Sequence, residues 1–399
     1  MLRAAAQFPA VVLTGPRQSG KTSLLRHHFA TTHGYVSLDD PDARGYAGSD
    51  PRSFLEDHRP PVIIDEIQYA PELLPHLKLA IDRRRQLNGQ FLLTGSQTFP
   101  LMQRASESLA GRVAVLRLHA LSLAENPGQR VPAVDTRDRY ASWVLTGSYP
   151  ELHQKPELDA RLWYASYLQT YLERDVRDLA QIGSLRDFDR MMRLLAARSG
   201  TLLNYAGLSR DLGVSANTVK AWVSILEASG IVLVCAAYYE SLGKRVIKSP
   251  KVYLMETGLL AHLTHLESAD ALFRGPLAGA VFETLIGGEL FRLATDTGRA
   301  PQLYHYRTVG QQEVDFVFEH DGRLHAVECK LASTVNAGDV RSLEFLMAAL
   351  PPARRGAAIV VSTSPTRVRV GGAVVVPLSA FASLQSLDEL VALALTPGA

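Results

Sequence analysis

Gly15-Pro16-Arg17-Gln18-Ser19-Gly20-Lys21-Thr22 follows the apolar run Val11-Val12-Leu13 and leads into Ser23-Leu24-Leu25-Arg26, a stretch able to start a helix. Strand, glycine-bounded loop and helix in that order form the setting of a phosphate-binding loop. The glycines let the backbone curl so that its N–H groups and the helix N-terminus face a phosphate. Lys21 then reaches the β- and γ-phosphates, and the Thr22 hydroxyl ligates Mg2+. Gly15 to Ser23 is therefore the expected nucleotide cradle.

Working outward, short β-type runs recur at Ala10 to Leu13, Tyr35 to Leu38, Val62 to Ile64, Phe91 to Leu93 and Val113 to Leu118, with helix-like stretches between them. Buried strands joined by helical crossovers imply a mostly parallel α/β sheet. The third run ends in Asp65-Glu66, 44 positions after Lys21. Strand C-termini meet ligands in such sheets, so Asp65 is expected to hold the Mg2+ hydration shell and Glu66 to act as general base on water. Two acids at a strand end also suit a helix cap. The fourth run ends in Thr94-Gly95-Ser96, where either hydroxyl can bond the γ-phosphate or the attacking water, or simply serve a turn. Arg112 is a candidate arginine finger, acting in its own subunit or across an interface, or else a surface salt-bridge arginine. Arg17 and Arg174 are weaker candidates for the same task.

The 399 residues suffice for two or three domains. Hydrophobic residues at 47% and charged residues at 21% describe a folded chain rather than a disordered or fibrous one. Cys235 and Cys329 alone cannot build a disulfide framework or a cysteine-rich zinc site. There is no run of about twenty apolar residues and no secretory leader pattern, so the expected location is cytoplasmic, without a membrane partner. A formal charge of +2 leaves any case for nucleic acid to local patches. A Pro-, Gly- and Arg-rich segment near Asn126 to Thr136 reads as a linker, and the expected division is 1–125, 126–265 and 266–399.

The middle division reads as helical. Tyr205 to Ser215 suggests a helix, a glycine turn and an N-cap serine, followed by a helix from Ala216 to Ala228 whose Val219, Trp222, Val223 and Leu226 share one face. Asn217, Thr218, Lys220 and Ala221 are expected to be exposed. Lys244, Arg245, Lys248 and Lys251 follow where the wing of a winged helix would lie. The recognition helix offers one cation, so phosphate neutralisation would rest on that wing; alternatively the module only packs domains or partners together.

In the last division a helix near Val281 precedes strands at Leu303 to Arg307, Glu313 to Glu319, Leu324 to Leu331 and Ala358 to Ser362. Asp321-Gly322 is a strong hairpin signal, and a turn there pairs residues whose numbers sum to 643. Asp315 then faces Glu328, Glu313 faces Lys330, and the period of two keeps all four on one sheet face. Facing carboxylates repel unless a cation lies between them, which points to a hard-metal site holding Mg2+, with Lys330 orienting water. The alternative is a solvated strand face whose charges are paired by Lys330 and other cations. Glu283 is a further candidate acid for the cluster, or an ordinary helix-surface residue.

Together with Ile64-Asp65-Glu66-Ile67-Gln68, Leu93-Thr94-Gly95-Ser96, Leu109-Ala110-Gly111-Arg112, Tyr171 to Val176 and Lys248-Ser249-Pro250-Lys251-Val252-Tyr253, these features resemble the prokaryotic AAA-type ATPases that carry a C-terminal domain of unknown function 4143. The resemblance spans nearly the whole chain. It implies a P-loop NTPase sheet, a winged-helix region, a restriction-endonuclease-like α/β domain of the PD-(D/E)xK type mapping onto Asp315, Glu328 and Lys330, and assembly into a homo-oligomer. The expected function is an ATP- and Mg2+-dependent ATPase coupled to nucleic acid, DNA before RNA, with nuclease activity. Its alternative is an ATP-switched regulator or scaffold whose nuclease-like domain does not cut.

Overall fold

A computed structural model describes residues 1–95, 109–126, 136–171, 184–239, 247–295 and 302–396. The chain divides into two compact units, the first made of Met1–Ala120 with Ala228–Gly230, the second of Leu121–Glu227 with Ile231–Ala399.

Unit 1 holds strands β1 (Ala10–Thr14), β2 (Gly34–Ser37), β3 (Val62–Asp65), β4 (Phe91–Gly95) and β5 (Val113–Arg117), the five expected from the sequence. They form one sheet in the order β2-β3-β4-β1-β5, and every pair is parallel. Both faces of such a sheet must be covered, which is why the strands read as continuous apolar runs. Alternate residues divide between two cores. Val12, Ile64 and Leu93 pack with Phe54, Leu77 and Ile81 on one side. Val11, Leu13, Ile63 and Leu92 pack with Leu25 and Phe29 on the other. Parallel pairing also gathers all five strand C-termini along one edge, where the phosphate loop begins.

In unit 2 the helices Tyr205–Leu212 and Ala216–Ala228 are joined through left-handed Gly213, and Val219, Trp222, Val223 and Leu226 are buried. The region is less purely helical than its sequence suggests. Strands β6 (Thr201–Leu202), β7 (Val232–Ala237) and β8 (Lys251–Leu254) join β9 (Leu303–Arg307), β10 (Glu313–His320), β11 (Arg323–Lys330), β12 (Arg355–Ser362), β13 (Val368–Val370) and β14 (Ala373–Pro377) in one nine-stranded sheet, ordered β13-β14-β12-β11-β10-β9-β7-β8-β6. The pairing of β7 with β9 makes the sheet continuous from the helix pair into the C-terminal region.

The β10–β11 hairpin keeps the expected register, with Phe316 opposite Val327 and His320 opposite Arg323. Asp321 and Gly322 both have positive φ, 48° and 72°, the backbone of a two-residue turn that follows strand twist. Strict alternation fails in β10. Its register against β9 slips by one residue between Val314 and Val317, so Val314 and Val317 enter the same core with Leu324 and Ala326. Asp315 and Phe316 fall within the bulge. Phe316 packs on Tyr253 of β8, ring centroids 5.2 Å apart.

Nothing lies within 4 Å of a Cβ placed on Gly322, so its left-handed backbone is the only obstacle to a side chain. Gly322→Ala is expected to lower the stability of unit 2 by about 1 kcal/mol without altering its spectrum, measured by urea unfolding. An unchanged midpoint would remove the strain argument.

Candidate nucleotide site and a buried charge cluster

The phosphate loop connects β1 to the helix Lys21–Phe29. Gly15 has φ 144°, and a Cβ there would stand 2.0 Å from the Leu118 carbonyl oxygen, so only glycine lets the loop pass β5. Gln18 (φ 63°) and Gly20 (φ 91°) complete the curl that turns backbone N–H groups inward. No acidic residue stands in the first turn of the helix, which leaves its positive end suited to an anion. Lys21 is buried, and its Nζ donates to the carbonyls of Pro16 (2.8 Å) and Gly15 (3.2 Å). Ser19 Oγ is buried without a hydrogen-bond partner among the described residues. Arg17 reaches the Tyr69 hydroxyl at 3.4 Å, and Ser23 is exposed on the helix.

Asp65 joins this loop to the rest of the sheet. Its buried carboxylate accepts from Thr22 Oγ1 at 2.9 and 3.0 Å, from the Tyr35 hydroxyl at 3.1 Å, and from Thr94 Oγ1. β4 lies between β1 and β3, so Thr94 sits between the loop's strand and the acid's strand. Its hydroxyl also accepts the Glu66 backbone N–H at 3.0 Å. Thr94 thus fixes both acids. Glu66 is itself left-handed (φ 58°), and Gln68 Nε2 donates to its Oε2. Burial, together with the charge of Asp65, pushes the Tyr35 phenol upward. A cradle that only glycine fits, a buried hydroxyl at Ser19, and a hydroxyl–carboxylate pair of the kind that shares a magnesium shell all suit a Mg2+-bound nucleoside triphosphate.

Other expected members fall elsewhere. Ser96 and Arg174 lie outside the described residues. Arg112 precedes β5, whose Val113 is level with Ala10 at the start of β1 and whose Arg117 is level with Thr14 at its end. At about 3.3 Å per residue this puts Arg112 more than roughly 13 Å from the phosphate loop, at the opposite sheet edge. Two guanidinium nitrogens, at 2.6 and 3.0 Å, hold Asp82. A finger acting within its own subunit is therefore corrected to a salt-bridge arginine. Tyr35 and the orienting role of Gln68 were missed by the sequence reading; only Gln68 carried a local signal, its place two residues after Glu66.

In unit 2 the expected metal acids meet an internal cation. Lys251, read as part of an exposed wing, is 1% exposed. Its Nζ lies 2.8 Å from Glu283 Oε1, 2.6 Å from Glu313 Oε1 and 3.6 Å from Asp315 Oδ1. Tyr253, two residues along β8, donates its hydroxyl to the same Glu283 oxygen at 2.7 Å. Asp315 Oδ2 accepts the Cys329 N–H at 2.8 Å, Lys330 Nζ pairs with Glu328 Oε1 at 2.9 Å, and Arg307 holds Glu313 at 3.1 Å. Glu313 is thus paired with Lys251 and Arg307 rather than with Lys330. Among the described residues no group of three or more His, Cys, Asp or Glu side chains is arranged to hold a metal ion. The expected Mg2+ set of Glu283, Asp315 and Glu328 does not fit, because ammonium and amide donors already occupy most of its acceptor oxygens.

Burial, reinforced by Asp315, pushes Glu283 up to about 7 and Glu328 up to about 8. Burial also raises Asp315. It raises Glu313 too, but Lys251 and Arg307 outweigh it and hold that carboxyl below the usual range. Burial opposes charge on Lys251, yet Glu283, Asp315 and Glu313 keep it firmly protonated.

The fold and phosphate-loop geometry define a P-loop ATPase of the AAA class. An AAA domain model matches residues 7–126, and models of domains of unknown function, DUF8612 and DUF4143, match residues 137–270 and 278–381. The chain belongs to the AAA-type ATPases that carry a C-terminal domain of unknown function 4143. The uncharacterized proteins Rv2008c of Mycobacterium tuberculosis and Mb2031c of Mycobacterium bovis are each 33% identical over 395 residues, covering 98% of this chain and 85% of theirs. Among solved structures, a Walker-type ATPase of Pyrococcus abyssi is similar over 66% of this chain and 93% of its own, at 16% identity and a TM-score of 0.42. RuvB of Thermotoga maritima is similar over 58% and 84%, at 18% identity and a TM-score of 0.29. Among the described residues no helix is long and apolar enough to cross a membrane.

Glu328 and Glu283 bind their protons more tightly in the fold than in the unfolded chain, whose reference value is 4.5. The stability they contribute is complete below that value and is lost as pH rises through about 7 and 8. Urea midpoints of unit 2 are expected to fall from pH 5 to pH 8, and Glu328→Gln, which cannot ionise, should flatten the decline. Parallel profiles for wild type and variant would refute this.

Proposed function

We propose that the protein binds ATP with Mg2+, hydrolyses it, and uses the cycle to switch a unit 2 that binds or assembles rather than cuts. The meeting of Thr22, at the start of the helix Lys21–Phe29, with Asp65 and Thr94 at the ends of β3 and β4 carries this reading. Bound MgATP would supply the reactive phosphoanhydride and the charge that shields it. The loop N–H groups from Gly15 to Thr22 and the Lys21 ammonium would bind phosphate oxygens. Thr22 and Asp65 would hold the ion's shell. Glu66, oriented by Gln68, would take the proton of the attacking water. Arg112 is remote from its own loop, so a role as finger requires a homo-oligomer in which it reaches the nucleotide of a neighbouring copy.

Lys21→Ala is expected to abolish ATP binding. Glu66→Gln should retain binding and slow phosphate release by roughly 10²–10³-fold. Release by Glu66→Gln at the wild-type rate would reject Glu66 as the base.

Nucleic acid is the partner we propose for the helix pair, and DNA before RNA, because the B-form major groove admits a helix and the A-form one does not. Lys220, Asn217 and Ala221 are exposed on the second helix, and Lys248 is exposed before β8. With Lys220 and Lys248 the exposed cations of these two segments among the described residues, and Lys244 and Arg245 outside them, the expected salt dependence is shallow, with a slope of log K against log salt of roughly −2 to −4. Fluorescence anisotropy with duplex DNA should show that slope, weakened binding on Lys220→Glu, and intact strands in Mg2+ or Mn2+. Cleavage that Asp315→Ala abolishes would instead establish a nuclease.

A further inference from the structure

We infer that the Lys251 ammonium is the resident cation of the acidic cluster in unit 2, standing where a divalent ion would neutralise the same carboxylates, and that it excludes such ions from this site. The inference concerns unit 2 alone and holds whether or not ATP is hydrolysed.

An ammonium has three N–H donors, and three carboxylates surround Nζ, those of Glu313, Glu283 and Asp315 at 2.6, 2.8 and 3.6 Å. Each comes from a different stretch of chain or a different strand position, so the lysine gathers the helix Ala278–Thr295 and β10 onto β8. A hard divalent cation needs six or more oxygens, several of them carboxylate or carbonyl. Here the Glu283 oxygen nearest Lys251 also receives the Tyr253 hydroxyl, Asp315 Oδ2 receives the Cys329 N–H, and Glu328 Oε1 receives Lys330. An incoming dication would meet a buried positive charge in contact with the oxygens it requires, and like charges at that range repel strongly outside water.

Lys251 is not a lid that could swing away. β8 is paired on both sides, with Cys235 of β7 opposite Lys251 itself and with Leu202 of β6 opposite it on the other edge. Its backbone is thereby fixed, and its side chain, 1% exposed, could leave only by breaking its ion pairs and repacking the interior around it. The other acids and cations of the cluster are likewise paired within the chain, Glu313 with Arg307 and Glu328 with Lys330.

The test is a Mn2+ titration of the full chain without nucleotide, with free ion read by electron paramagnetic resonance. The proteins are wild type, Asp315→Asn, Lys251→Met and the Lys251→Met/Asp315→Asn double variant. Wild type and Asp315→Asn should titrate alike, whereas Lys251→Met should gain a Mn2+ site that the double variant lacks. Because Lys251→Met leaves acids uncompensated, its thermal unfolding is followed alongside: its melting temperature should rise by several degrees with Mn2+ or Mg2+, more than in wild type. A wild-type Mn2+ site that Asp315→Asn removes would overturn the inference. So would a Lys251→Met chain, folded or not, that neither binds Mn2+ nor is stabilised by it.

Discussion

A carboxylate taken out of water must be met by donors or give up its charge, and the two units of this protein meet that requirement by different means. At the end of β3, hydroxyls from Thr22, Tyr35 and Thr94 converge on Asp65. Hydroxyls are neutral and can turn, so an acid held this way can still be shared with an arriving cation. In unit 2, Glu283, Glu313 and Asp315 are instead answered by the fixed charge of Lys251. An ammonium that belongs to the chain and is buried among these acids is not exchanged for an ion from solution. The first arrangement suits a site that loads and unloads; the second suits a permanent core.

Topology decides why the first arrangement is possible. A parallel sheet lines up its strand C-termini, and insertion of β4 between β1 and β3 separates the phosphate loop from its acid by one strand. Thr94 spans that gap. A single hydroxyl on β4 thereby sets the position of Asp65 through its carboxylate and of Glu66 through its backbone N–H. The same alignment puts Arg112 at the wrong edge, since a residue preceding β5 stands beside the start of β1 rather than beside the loop that follows it.

Local chemistry was legible in the sequence. The phosphate loop, the five strands of unit 1, the two helices around Gly213 and the Asp321-Gly322 register all depend on residues within a short stretch, where glycine geometry and apolar periodicity leave few choices. Distant pairing was not. The partners of Lys251 lie 32, 62 and 64 residues away, and the lysine itself sits in a run of cations that looks like a solvated ribbon. Its burial follows from β8 joining the sheet between β7 and β6, a pairing that no periodicity within four residues can announce. The bulge in β10 was hidden for a related reason: Glu313 to Glu319 reads as clean alternation, and the extra residue shows only against β9.

That bulge changes what the acid pattern means. With strict alternation, Asp315 and Glu328 would face each other on one side of a hairpin, and their mutual repulsion would call for an ion. Slipping β10 by one residue turns Asp315 toward the Lys251 ammonium and lets its second oxygen accept the Cys329 N–H. Glu328 is left with Lys330 and an Oε2 that has no partner among the described residues, an environment in which holding a proton is easier than holding a charge. An acid, acid, x, lysine spacing therefore marks a metal site only while the space between the acids is open to solvent ions. Here Asp315 is answered by a cation from elsewhere in the chain and Glu328 by Lys330, and Lys251 with Glu283, Glu313 and Asp315 becomes the anchor between a strand of the helix-pair region and the C-terminal sheet.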